Sequence, residues 1–122
     1  MNVLLVDSDP TSRAVLRDAL EAAGYLVRAA GDLGKAVDRL QEMRPDLLIT
    51  RPYINSMSGW LAAEYLRTRC HGLPVLIVGG FLEDDRNTTR ADIEDIETFP
   101  KAFTRDELLA AIKQVFEGVQ KR

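Results

Sequence analysis

Val3-Leu4-Leu5-Val6-Asp7-Ser8-Asp9-Pro10 is the stretch that decides the fold. Its first four residues are an unbroken apolar run, the pattern of a strand covered on both faces, as parallel strands are. Asp7, Ser8 and Asp9 end the run. Asp9 suits a helix N-cap and Pro10 the first helical position, where a missing N–H costs no intrahelical bond. Beyond them Val15, Leu16, Ala19, Leu20 and Ala23 recur at helical spacing, and Gly24 reads as the stop. A strand, a tight turn and an amphipathic helix are the first half of a βαβ unit.

The same alternation continues along the chain. Tyr25 to Ala29 reads as a second strand, and Leu33, Ala36, Val37, Leu40 and Met43 form the stripe of a second helix that Pro45 stops. Asp46 to Thr50 reads as a third strand, residues 51–58 as a loop, and Ser58 as the cap of a third helix running to Cys70. Val75-Leu76-Ile77-Val78 reads as a fourth strand and Ile96 to Phe99 as a fifth. Residues 82–95 are polar and acidic, so a helix there would have almost no apolar stripe. Thr104 and Glu107 make a capping box before Leu108, Leu109, Ile112, Val115, Phe116 and Val119, the stripe of a last helix. The expectation is one domain over residues 1–122, an α/β doubly wound parallel sheet of five strands in the order 2-1-3-4-5. In such a sheet the site lies outside the carboxyl ends of the strands, where the strand order reverses. That places Asp7, Ser8, Asp9, Arg51, Gly79 and Lys101 around one crevice.

Composition narrows the function. With 122 residues, 46% of them hydrophobic, the chain can bury a single core. A net charge of −3 argues against direct nucleic-acid binding, which needs clustered Lys and Arg. No apolar stretch is long enough to span a bilayer. A lone cysteine, Cys70, and a strand that starts right after Met1 point to a cytoplasmic protein. One Cys and one His, His71, cannot build a structural zinc site, so no metal is expected from them.

The landmarks Val3 to Asp7, Pro45 to Ile49, Met57-Ser58-Gly59-Trp60, Pro74 to Val78 and Lys101-Ala102-Phe103 together resemble the response-regulator receiver domain, the CheY-like (βα)5 family with a flavodoxin-like sheet. The resemblance covers essentially the whole chain. It implies two acids after the first strand that hold Mg²⁺, a phosphoacceptor Asp after the third, a Ser or Thr after the fourth, and a Lys followed by a cis-proline after the fifth. It also implies a switch aromatic three residues before that Lys. Here Asp7 and Lys101 match. Ser8 stands in place of the second acid, Arg51 in place of the phosphoacceptor, Gly79 in place of the hydroxyl, Ala102 in place of the proline and Thr98 in place of the aromatic.

Phosphoryl transfer needs a carboxylate nucleophile and a cation to offset incoming charge. Arg51 stays protonated and cannot be that nucleophile. Asp46 begins its strand and lies roughly 15 Å away at about 3.3 Å per residue. Asp7 and Asp9 against Arg51 and Lys101 sum to zero formal charge, which favours an internal ion-pair network over an Mg²⁺ cage. The sequence therefore reads as a pseudo-receiver with no cofactor, no enzyme activity and no catalytic residue.

Such a module signals by binding proteins. By resemblance, the face of the family's fourth helix, fifth strand and fifth helix is the first surface to consider, with a homodimer as one outcome. The face of the first and fifth helices is the second. The loop after Arg51, with Tyr53, Ile54 and the following Trp60, is a third candidate interaction element, although packing is the simpler role for Trp60. Two other classes compete. One is an atypical phosphorelay regulator that still answers a phosphoryl donor, which Arg51 opposes. The other is a small-anion or flavin binder of the flavodoxin type. Thr11 and Ser12 would suit its phosphate loop, but Asp7 and Asp9 would repel the phosphate.

Overall fold

The apolar run at Val3 does become a strand buried on both faces. The structure, a computed structural model, describes residues 1–79, 96–99 and 105–120, with the backbone alone at 96–99 and 118–120. In chain order its elements are β1 (Asn2–Val6), α1 (Pro10–Ala22), β2 (Leu26–Ala30), α2 (Leu33–Leu40), β3 (Leu47–Thr50), β4 (Tyr53–Ile54), β5 (Met57–Ser58), α3 (Gly59–Arg69), β6 (Val75–Val78), β7 (Ile96–Phe99) and α4 (Arg105–Gln120). The main sheet runs β2-β1-β3-β6-β7, and every pairing in it is parallel. β1 and β3, both central, pair in register from Val3 opposite Leu47 to Val6 opposite Thr50.

Alternate residues of the central strands feed two cores, as the two-residue period of a strand requires. Leu4, Val6, Leu48, Val75 and Ile77 pack with Ala36 of α2 and with Trp60, Ala62, Ala63 and Leu66 of α3. On the opposite face Val3, Leu5, Leu47, Ile49, Leu76 and Val78 pack with Leu16 and Leu20 of α1 and Leu108, Ile112 and Val115 of α4. Tyr25 stacks on Phe116 with ring centroids 6.4 Å apart, joining the approach to β2 to α4. No helix among the described residues is long and apolar enough to cross a membrane.

The caps form as their chemistry dictates. The Asp9 side chain accepts from the Thr11 N–H at the start of α1, and Ser58 accepts from the Trp60 N–H at the start of α3. Gly24 takes a φ of +98° directly after α1, a value glycine adopts without steric cost.

Several expectations need correction. Val15 is 63% exposed and Ala23 is exposed as well, because Leu16 and Leu20 alone carry the fully buried stripe of α1. The second strand starts at Leu26, not Tyr25, and the third at Leu47, not Asp46. α2 ends at Leu40, well before Pro45, so the proline does not terminate it. Met43 still packs against the core from outside the helix. The loop after Arg51 is not irregular throughout: β4 and β5 pair antiparallel, and Asn55 between them takes a φ of +57°. Asn tolerates that left-handed turn conformation better than most residues. Residues 82–95 and Thr104 lie outside the described residues.

Two leucines of α3 provide a test of this burial. Leu66 is fully buried and Leu61 is 60% exposed. Leu66→Ala should cost about 2–5 kcal/mol of unfolding free energy. Leu61→Ala should stay within about 0.5 kcal/mol. Urea titration of both variants checks the pair, and equal losses would contradict the placement of the helix.

Candidate functional site

The register of the central strands builds the crevice. Because Val6 lies opposite Thr50, the residues that follow, Asp7 and Arg51, leave the sheet at the same level. The Asp7 N–H donates to the Ala30 carbonyl of β2 at 3.0 Å, and the Arg51 N–H donates to the Val6 carbonyl at 3.3 Å. Gly79 follows β6, the next strand over, and is buried. Asp7, Ser8, Asp9, Arg51 and Gly79 therefore gather at one end of the sheet. Lys101 and Ala102 lie outside the described residues. Thr98 sits within β7 opposite Ile77.

Asp7 is the centre of the arrangement. It is 2% exposed, and a carboxylate so enclosed requires donors. Its Oδ2 accepts from the Ser12 hydroxyl at 2.5 Å, and its Oδ1 from the Asp9 N–H at 3.0 Å. Its carbonyl accepts from Arg13 Nη1 at 2.8 Å. That arginine is held over Gly31, where an added Cβ would lie 2.8 Å from Nη1. The side chain of Asp9 is committed to capping α1, with Oδ1 accepting from the Thr11 N–H at 3.1 Å.

Ser8 has a different task. Its hydroxyl accepts from the Asn55 N–H at 3.2 Å, which ties the turn of the β4–β5 hairpin to the loop after β1. The hairpin is closed at its base as well. The Gly59 N–H donates to the Pro52 carbonyl at 2.7 Å, and a Cβ at Gly59 would come within 2.1 Å of the Arg51 carbonyl oxygen. Only glycine permits that approach of backbone to backbone.

Arg51 is half-buried. Burial pushes its guanidinium below its ordinary pKa, and the carboxylates of Asp7 and then Asp9 act in the opposite direction. It therefore lies within electrostatic reach of both acids, and a guanidinium in a protein keeps its proton.

The residues present are a poor match for a resident divalent cation. Both oxygens of Asp7 already accept internal hydrogen bonds, Asp9 caps a helix, Ser8 offers a hydroxyl engaged by the hairpin, and a cationic side chain lies beside them. A hard dication wants several unencumbered oxygen ligands, preferably carboxylates. Among the described residues no group of three His, Cys, Asp or Glu side chains could hold a metal ion.

Two of the three side chains expected on the loop after Arg51 are not available to a partner. Ile54 is 2% exposed and Trp60 8%, both within the core beneath α3, whereas Tyr53 is 48% exposed. Cys70 packs in the same core, and His71 is exposed at the end of α3. Sequence reasoning gives no role in the crevice to Arg13 or Asn55, and it singles out Ser12 only as a hydroxyl for a phosphate loop. The signal for Ser12 is its place in the first turn of α1, five residues after Asp7, where it turns back toward the carboxyl end of β1. The one for Asn55 is its tolerance of a left-handed turn.

Comparison with known proteins supplies the wider frame. Residues 3–113 match the family described as the response regulator receiver domain. The chain is 30% identical over 113 residues to "Response regulator MprA" of Mycobacterium avium (strain 104), covering 93% of this chain and 50% of that protein. It thus spans about half the length of the curated relatives it matches. Among solved structures it is similar to a response regulator receiver protein from Sinorhizobium medicae WSM419, with 25% identity, a TM-score of 0.77 and coverage of 96% of this chain and 94% of that one. The chemotaxis response regulator CheY4 of Vibrio cholerae, at 23% identity, shares the fold with a TM-score of 0.78 over 93% of this chain and 97% of that one. The parallel sheet, the crevice at its carboxyl end and the match across nearly the whole chain place this protein in the response-regulator receiver domain family of two-component signalling.

Proposed function

We propose that this chain is a pseudo-receiver: a signalling module with the full (βα)5 order 2-1-3-4-5 that acts by binding proteins, without phosphorylation of an aspartate. The observation that carries this reading is Arg51. It follows β3 at the level of Asp7, which by resemblance is the position of the family's phosphoacceptor, and its guanidinium lies within electrostatic reach of Asp7 and Asp9. A guanidinium supplies no nucleophile. Ser8, Gly79, Thr98 and Ala102 then account for the rest of the departure from the family's chemical set. Receiver domains are in general signalling modules without an enzyme activity of their own, which fits the reading.

The crevice becomes a set of internal bonds that hold the loop after β1 and the β4–β5 hairpin in one state. An ordinary receiver changes state because charge arrives at its acceptor. Here a positive charge is built in, and Gly79 has no hydroxyl to move. The output is then carried by a surface. By resemblance, the face that includes β7 and α4 is one such surface, and a homodimer through it is one form. A cytoplasmic setting, shared with the protein partners of a two-component pathway, belongs to the same reading.

Acetyl phosphate or beryllofluoride with Mg²⁺ tests the proposal directly. The purified domain should keep its intact mass and show no amide shifts at Asp7, Ser8 or Arg51. The double variant Ser8→Asp with Arg51→Asp should gain Mg²⁺-dependent shifts at those positions, which establishes that the assay can detect a working crevice. A phosphoryl adduct on the unaltered chain, or saturable shifts in its crevice, would return it to the phosphorelay class.

The internal network carries a stability prediction of its own. Ser12→Ala strips a donor from a carboxylate that is 2% exposed and should cost about 1–3 kcal/mol. Thr11→Ala, one residue away and exposed, should change stability by no more than about 0.5 kcal/mol. Denaturant midpoints of the two variants decide the matter. If Ser12→Ala proved neutral, Asp7 would not depend on that bond.

A further inference from the structure

Exposed apolar side chains are normal when scattered, and informative when they gather. Among the described residues the exposed large hydrophobics are Met1, Val15, Leu26, Tyr53, Met57, Leu61 and Tyr65. The last four fall within one hairpin and the helix that follows it. Leu61 and Tyr65 are one helical turn apart and share a face of α3. Arg69, one turn further, extends the same stripe. Its guanidinium carbon lies 4.7 Å over the Tyr65 ring centroid, and its Nη2 donates to the Tyr65 hydroxyl at 2.7 Å.

This stripe does not serve the core. The inward face of α3 is already complete in Trp60, Ala62, Ala63 and Leu66, which are buried beneath it. Leu61, at 60% exposure, and Tyr65, at 41%, point the other way. Tyr and Arg are the residue types that most often anchor protein interfaces. A stacked guanidinium is also pre-organised: its plane is fixed before any partner arrives, so less rotamer freedom is lost on binding. Only some of its five N–H groups are engaged by Tyr65, which leaves donors for a planar carboxylate.

The charge beside the stripe selects the partner's chemistry. Between Pro52 and Gly72 the charged side chains are Glu64, Arg67 and Arg69, in a chain whose net charge is −3. Arg67 turns its Nε to the Leu73 carbonyl at 2.9 Å and braces the end of the helix. The carboxyl end of α3 is thus locally basic on a molecule that is acidic as a whole. We infer that the Leu61–Tyr65–Arg69 face of α3, approached through Tyr53 and Met57 of the hairpin, docks an amphipathic helix of another protein. That helix presents an apolar stripe with an Asp or Glu placed to meet Arg69 at the carboxyl end of α3. This is the helix-on-helix mode of recognition, read by anchors spaced three and four residues apart. The inference rests on the reading of the domain as a binding module and names a surface that the family resemblance does not.

The test is a titration of the ¹⁵N-labelled domain with a synthetic amphipathic helical peptide carrying leucines on one face and flanking glutamates. A matched peptide with lysine at every glutamate is the control. Saturable shifts should centre on Met57, Leu61, Tyr65 and Arg69 with the acidic peptide, and the lysine peptide should bind about tenfold more weakly or not at all. Tyr65→Ala should abolish the shifts. Arg69→Glu should reverse the preference toward the lysine peptide, with the rest of the amide spectrum unchanged because both positions are exposed. Equal binding of the two peptides, shifts elsewhere, or no binding would overturn the proposal. Shifts at the same face that grow with protein concentration in the absence of peptide would also overturn it, since the occupant would then be a second copy. A phosphoryl adduct in the donor experiment would sink the pseudo-receiver reading and leave this surface standing. Loss of peptide selectivity would sink this inference alone.

Discussion

A carboxylate at 2% exposure must be matched by donors, and the site is arranged around meeting that demand for Asp7. Its position is not negotiable, because β1 is sealed between β2 and β3 and delivers residue 7 to the end of the sheet. Ser12 and the Asp9 N–H close on its two oxygens, Arg13 closes on its carbonyl, and Arg51 brings positive charge from the neighbouring strand. These interactions draw on three elements: the first turn of α1 through Ser12 and Arg13, the loop itself, and the exit of β3. The geometry of the crevice is thus a consequence of one buried negative charge, and a dication would have to share the Asp7 oxygens with these internal donors.

The order of strands and helices was legible because its signals are local. Val3 to Val6, Leu47 to Ile49 and Val75 to Val78 are apolar on every residue, and their shortness and bounding turn residues mark them as strands buried on both faces. Asp9 and Ser58 announce their helices through hydroxyl or carboxylate chemistry that acts within three residues. The misses are of another kind. Val15 looks like core by spacing alone, yet the breadth of the buried stripe depends on what packs against α1, and Leu16 with Leu20 suffices. Ile54 looks like a loop residue but is drawn beneath α3 by the hairpin, which the sequence does not advertise. Burial of single side chains is decided by tertiary packing, and periodicity sees only one element at a time.

The candidate site was legible as a set of positions and illegible as a network. The carboxyl ends of the strands follow from the βα alternation, so the sequence alone places Asp7, Arg51 and Gly79 together. Which donors meet Asp7 could not. Ser12 and Arg13 reach it only because α1 starts at Pro10 and turns its first residues back over the loop. Ser8 meets Asn55 across 47 positions of sequence, through a turn whose left-handed residue has no signature beyond being Asn. Hydrogen bonds from Ser12 and the Asp9 N–H meet Asp7, and Arg51 adds an electrostatic contribution tempered by its own desolvation.

The same constraint explains why a binding role would settle on α3. A crevice whose polar atoms answer one another offers a partner little, since each new contact must first break an internal one. The hairpin sits between the two regions. Ser8 holds its turn to the crevice, while Gly59 fuses its base to the start of α3. Tyr53 and Met57 are therefore carried on a short, tied element, not on a free loop. Leu61, Tyr65 and Arg69 stand on a helix whose opposite face is locked into the core. In an ordinary receiver, charge at the end of β3 alters what the surface presents. In the reading proposed above, the guanidinium of Arg51 supplies a permanent charge at that position, and the face beside it keeps one geometry.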